Sequence, residues 1–96
     1  ELCVLLSLSG GAAYTTDILG TLKGHGMLVV EGTLYPLLSR LRTDGLLAYD
    51  WRESDSGPPR KYYRLTALGE KSLQQQLGSW HSLSQSMNSL IKQHAK

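Results

Sequence analysis

Six basic side chains fall between positions 40 and 64 (Arg40, Arg42, Arg52, Arg60, Lys61 and Arg64), against the carboxylates Asp44, Asp50, Glu53 and Asp55. The remaining charges balance, so the whole formal net charge of +2 resides in this one segment. Cations gathered in this way bind anions, phosphate esters above all, and the footprint is modest rather than strong. Nothing beside them makes or breaks bonds. Serines are plentiful, but there is no nucleophile elbow, no carboxylate pair and no phosphate-cradling glycine loop. His25, His81 and His94 are scattered, and His25, between Gly24 and Gly26, has no partner at a metal spacing and reads as a solvated turn histidine. Cys3 is the single cysteine, which excludes an intrachain disulfide and a thiolate cluster, and without a basic neighbour it reads as a small buried hydrophobe. The residues therefore point to a binding protein, not an enzyme, with no metal and no cofactor.

The element that must position these cations is the stretch EGTLYPLLSRLRTDGLL, Glu31 to Leu47. At helical spacing Leu34, Leu37, Leu38 and Leu41 share one side, Gly32, Pro36, Ser39 and Thr43 the other, and Thr33, Tyr35 and Arg40 the flanks. An outer face with small hydroxyls, an arginine and no carboxylate past Glu31 suits a helix lying in the major groove of DNA. An ordinary amphipathic surface helix would fit this segment equally well. Asp44-Gly45 stops the helix, since glycine accepts the left-handed conformation. Pro36 is best tolerated in a first turn, which favours a cap near Thr33, although Gly32 would soften the clash had the helix begun sooner.

The flanking elements decide between these readings. Leu2 to Leu8 is apolar nearly all round and is expected to be a buried helix closed by Gly10-Gly11. Because Glu1 directly precedes this run, the numbering is expected to begin inside a helix, with a few residues upstream. A second helix opens at Tyr14-Thr15-Thr16-Asp17, capped by Thr15 or Thr16, with Ile18, Leu19 and Leu22 inward, and ends at Gly24-His25-Gly26. Helices two and three make a helix-turn-helix. Leu47, Tyr49 and Trp51 alternate as a strand, Arg52 to Pro59 has turn chemistry, and Lys61, Tyr63 and Leu65 alternate as a returning strand. A hairpin in this place is the wing of a winged helix, with Arg60 and Lys61 placed to meet DNA backbone. From Thr66, a plausible N-cap, no proline interrupts the chain, and Leu73, Leu77, Trp80, Ser84, Met87 and Ile91 form a heptad seam widened by Leu83 and Leu90. Gly69 and Gly78 are expected to weaken this helix by about 1 kcal/mol each relative to Ala.

At 96 residues the chain is near the size at which one core is marginal, and three short helices with a wing cannot cover the seam. A second copy is the expected cover, making a homodimer with two reading heads on a palindromic operator. The fold class is thus mainly α (α+β): a winged helix-turn-helix over residues 1–66 and a long C-terminal dimerisation helix over 67–96. The dimerisation residues are Leu73, Leu77, Trp80, Leu83, Met87, Leu90 and Ile91. No run is long enough for a membrane span and no secretory signal is visible, so no membrane partner is expected and the cytoplasm is the expected location.

EGTLYPLLSRLRTDGLL, then RKYYRLTALGEKSL, then a long helix carrying Trp80, resemble the PadR-like transcriptional regulators along essentially the whole chain. The resemblance implies a dimeric winged-helix protein, usually a repressor, of the small branch with a single C-terminal helix. Carried over by motif, it places Thr33, Tyr35 and Pro36 at the DNA-facing start of the recognition helix, Ser39 and Arg40 further along, and Arg60 and Lys61 on the wing. Tyr14 opens helix two, and Thr15 stands where relatives commonly have glycine, so its hydroxyl becomes a candidate phosphate contact. Some relatives hold flat aromatic compounds at the dimer interface; Trp80, Met87, Leu5 and Leu8 are accordingly the expected lining for a small planar aromatic effector, with plain packing of paired indoles as the alternative. The rival function is a winged-helix module that binds another protein without reading DNA sequence, which salt dependence would separate.

Overall fold

The computed structural model describes residues 1–54 and 57–95; Asp55 and Ser56, expected in the hairpin tip, and Lys96, the end of the expected tail segment, lie outside the described residues. The elements run α1 (Leu2–Ser7), α2 (Thr15–Gly24), α3 (Glu31–Thr43), β1 (Leu47–Ser54), β2 (Gly57–Leu65) and α4 (Ala67–His94). This is the expected winged helix-turn-helix with a long C-terminal helix. No described helix is long and apolar enough to cross a membrane.

Helix α3 is held by its leucines. Leu34, Leu38 and Leu41 are fully buried and Leu37 partly so, in one cluster with Val4 and Leu5 of α1, Leu8 just past its end, and Ile18 and Leu22 of α2. The helix begins two residues before the favoured cap at Thr33: Val30 is the N-cap, and its carbonyl accepts from the amides of Thr33 and Leu34, each at 3.0 Å. Pro36 is therefore interior, and the carbonyl four residues back that its ring confronts belongs to Gly32. At the far end Gly45 takes φ +82°, the expected stop.

Helix α2 is capped by Tyr14 rather than by Thr15 or Thr16, because Asp17, at the third helical position, accepts from the Tyr14 amide at 3.3 Å. The wing strands pair from Leu47↔Leu65 to Ser54↔Gly57. The ladder thus extends through residues expected to be loop, Arg52 facing Arg60 and both prolines lying in β2. A two-stranded ribbon has an outer edge on each strand where a proline need not donate. In α1 the burial is one-sided: Leu6 is exposed and Cys3 only half-buried, not sealed as expected.

The start of α4 is bolted to the end of α3. Thr66 is its N-cap, as expected: the hydroxyl accepts from the Gly69 amide at 3.0 Å and donates to the Gly45 carbonyl at 2.6 Å. Gly69 is buried, and a Cβ there would overlap the Leu46 carbonyl oxygen, so this glycine permits a close approach and is more than a weak point in the helix. Leu73 is buried in the protein's own core, which removes it from the expected dimer seam, and Leu77 packs partly against the same cluster. Beyond them Trp80, Leu83, Met87, Leu90 and Ile91 are 50–60% exposed.

Gly69→Ala is expected to lower stability by about 1–3 kcal/mol through overpacking against Leu46, outweighing the helix propensity it gains. Gly20→Ala, where the added methyl meets nothing within 4 Å, is expected to raise stability by about 0.5–1 kcal/mol. Denaturant unfolding at one protein concentration checks both signs; a Gly69→Ala protein as stable as the parent would mean that α4 can ride away from Leu46.

Candidate nucleic-acid interface

The segment before α2 makes a third strand for the wing at one point. Ala13 exchanges two hydrogen bonds with Tyr63, at 3.0 and 2.8 Å, and this pairing sets Tyr14 edge-on against Tyr62 with ring centroids 5.2 Å apart. Between the start of α2, the face of α3 and the wing lies a groove of about 700 Å³, lined by Tyr14, Thr15, Thr16, Tyr35, Trp51, Pro59, Arg60, Lys61 and Tyr63. Five of the expected DNA-contacting residues, Tyr14, Thr15, Tyr35, Arg60 and Lys61, thus converge on one concave surface. Pro36 and Ser39 are exposed on the outer side of α3, away from its buried leucines. Thr33 and Arg40 lie seven residues apart on the opposite flank of the helix from Tyr35. There the Arg40 guanidinium donates to Glu1 at 3.1 Å, and Gln76 of α4 completes that carboxylate at 2.7 Å.

The cations differ in how they are held. Arg40 is paired with Glu1, and Arg64 with Asp50 at 3.2 Å. Four others lie over aromatic rings: Arg42 on Tyr49 at 4.6 Å, Lys61 on Tyr49 and Trp51 at 4.6 and 5.4 Å, Arg52 on Tyr62 at 4.5 Å, and Arg60 on Tyr14 at 4.8 Å. A ring orders a long side chain without cancelling its charge, whereas a carboxylate cancels it. Among the described residues of this segment, the cations without a carboxylate partner are therefore Arg42, Arg52, Arg60 and Lys61. Arg42 and Arg52, together with Tyr49, Trp51 and Tyr62, were not among the site residues read from sequence. Their signal is diagonal, as in Arg52 against Tyr62, and becomes visible only when the hairpin register is known.

The expected effector lining does not assemble. Leu5 and Leu8 are sealed in the core, at 0% and 2% exposure, because α1 packs against α2 and the start of α4 in one apolar cluster. Trp80 instead borders a shallow depression with Leu2, Gln75, Gln76, Ser79 and Leu83, and Met87 is exposed further along α4.

Tyr63 is buried at the floor of the groove, and desolvation, with the neighbouring Tyr49 adding to it, raises its phenol above the ordinary value of 10.0. The neutral form is the one that folding favours, so its contribution is full below the unfolded value and is lost as pH rises through the folded one. Stability is expected to fall above pH about 10 and to fall less steeply in Tyr63→Phe. Unfolding curves across that range, read beside tyrosinate absorbance, check the sign; identical slopes in both proteins would remove Tyr63 from the effect.

Residues 4–75 match the family described as the transcriptional regulator PadR-like family. Transcriptional regulator Rv3488 of Mycobacterium tuberculosis is 48% identical over 52 residues, which are 54% of this chain and 48% of that protein, so the match spans about half the relative's length. The crystal structure of a PadR-like transcription factor from Bacteroides fragilis is similar at 49% identity and TM-score 0.82, over 93% of this chain and 86% of its own. Bacillus subtilis PadR, solved in complex with operator DNA, shares the fold at 24% identity and TM-score 0.73, over 79% of this chain and 45% of that one.

Proposed function

From the premise that this chain belongs to the PadR-like family of transcriptional regulators, we propose that it is a repressor in the cytoplasm that binds a palindromic operator in duplex DNA as a homodimer. The observation that carries this reading is the groove in which Tyr14, Thr15, Tyr35, Arg60 and Lys61 meet beside the outer face of α3. Helix α3 enters the major groove, Pro36 and Ser39 facing base edges and Tyr35 the adjoining backbone. Thr33 and Arg40 take the far flank; the Glu1 pair is solvent-exposed, so releasing Arg40 to a phosphate costs little. Tyr14, Thr15, Arg60 and Lys61 hold backbone on the wing side. The same fold in operator-bound Bacillus subtilis PadR is consistent with this docking.

The dimer forms along α4 through Leu77, Trp80, Leu83, Met87, Leu90 and Ile91. A planar aromatic effector would enter beside Trp80 and Met87, the depression by Leu2 and Leu83 supplying its apolar wall. Binding there shifts the separation of the two reading heads and releases the operator.

Selection of bound duplexes from a random pool is expected to enrich two half-sites related by a two-fold axis, with affinity that falls steeply from 50 to 200 mM salt. Arg60→Ala with Lys61→Ala should weaken all sequences alike, and Ser39→Ala should change sequence preference. No enriched duplex, or binding of a protein partner indifferent to salt, defeats the reading. In a Trp51→Phe background, planar aromatics are expected to quench Trp80; a calorimetric affinity for the same compound that is unaltered by Trp80→Ala sinks the effector site alone.

A further inference from the structure

Side chains alternate across the wing, so that Leu47, Tyr49, Trp51, Lys61, Tyr63 and Leu65 share one face and Ala48, Asp50, Arg52, Arg60, Tyr62 and Arg64 the other. On the second face Arg52 and Arg60 stand directly opposite each other in the ladder. Two like charges at this spacing, with Cβ atoms about 5 Å apart, destabilise a hairpin. Among the described residues neither arginine is ion-paired, and the acid on that face, Asp50, is engaged by Arg64. Both guanidiniums lie instead on rings, Arg52 on Tyr62 and Arg60 on Tyr14, and the two rings meet edge to face. Two cation–ring pairs, in contact through their rings, thus join the wing to the start of α2. Protection of a sheet edge asks only for outward charge, and mixed signs provide it. A facing pair of arginines, each pinned flat on a tyrosine, breaks a local rule of stability, and such breaks mark functional positions.

We infer that Arg52 and Arg60 form a tyrosine-backed grip for a single backbone phosphate of duplex DNA, with Tyr14 and Tyr62 serving as positioning residues. A phosphate would supply the anion that the pair lacks among the described residues, and two guanidiniums bound to it would offer more donors than either supplies alone. Because Tyr14 also caps α2, the grip is anchored to the helix-turn-helix and not only to the hairpin, so the wing is held in register with α3. Arg64, compensated by Asp50 on the same face, takes no part. This inference rests on the DNA-binding reading above and adds to it a residue, Arg52, and a stoichiometry, two arginines to one phosphate.

The test uses the full chain on its selected duplex, with Kd measured across salt concentrations for the parent, Arg52→Gln, Arg60→Gln, the double variant and Arg64→Gln. Arg52→Gln and Arg60→Gln are each expected to weaken binding roughly tenfold or more at 0.1 M salt. The double variant is expected to lose about 0.9 from the slope of log affinity against log salt, the value for one phosphate, and Arg64→Gln to lose none. A loss of about 1.8 in the double variant means separate phosphates and overturns the shared grip. If the parent binds with steep salt dependence but Arg52→Gln behaves as Arg64→Gln does, the inference falls and the operator reading stands. If the parent binds no duplex, both fall. Tyr62→Leu supplies a second arm: it should weaken binding while leaving the salt slope in place, because the charge remains and only its orientation is lost.

Discussion

One hydroxyl joins the two halves of this molecule. Thr66 donates to the Gly45 carbonyl in the turn just past α3 and accepts from the Gly69 amide in the first turn of α4, so a single side chain ties the exit of one helix to the start of the next and satisfies one orphan amide of α4. The contact is possible only because Gly69 lets α4 descend onto the Leu46 carbonyl. Helix α4 therefore leaves the body in a direction set by the end of the recognition helix. Any surface that covers α4 further along also orients α3.

What α4 leaves uncovered follows from its length. At about 1.5 Å per residue its 28 residues extend near 42 Å, and the molecule is 58 Å long but only 26 by 22 Å across. The body reaches as far as Leu73 and, in part, Leu77. Past that point large apolar side chains recur along one side of α4 and stay half or more exposed, a contiguous stripe of the kind that marks an interaction surface. The seven-residue recurrence suits a second helix better than a flat partner, since that period keeps one seam facing one neighbour. This is the physical ground for favouring a second copy of the chain in the proposed function.

Most of the architecture was legible because it is carried by periodicity. The α3 leucines, the Gly45 stop, the Thr66 cap and the unbroken α4 pattern each name an element without knowledge of its neighbours. What was not legible depends on encounters between elements. That Leu73 belongs to the core and Trp80 to the outside is decided by where the body ends, and Leu5 and Leu8 are withdrawn from Trp80 by the packing of α1 against α2 and the start of α4. Gly69 read as a flaw because its neighbour Leu46, in the preceding turn, comes near only after the wing has folded back. The early start of α3 was hidden by Pro36, whose clash Gly32 relieves.

The same division holds for the charges. Sequence counts six cations around the wing but cannot say which are cancelled, since Glu1 reaches Arg40 across 39 positions and Asp50 reaches Arg64 across 14. In the fold, cancellation and stacking separate cleanly. The two ion-paired arginines lie on the flank of α3 and low on the wing, while Arg60 and Lys61 line the groove between α2, α3 and the hairpin and Arg42 and Arg52 are held on the wing's own rings. Orienting a long cation on a ring in advance lowers the entropy lost when it meets a phosphate, and leaves its charge whole for that meeting. In the proposed docking, the tyrosines and tryptophan of the wing thus serve less as surfaces for DNA to touch than as the backing that keeps the cations in place.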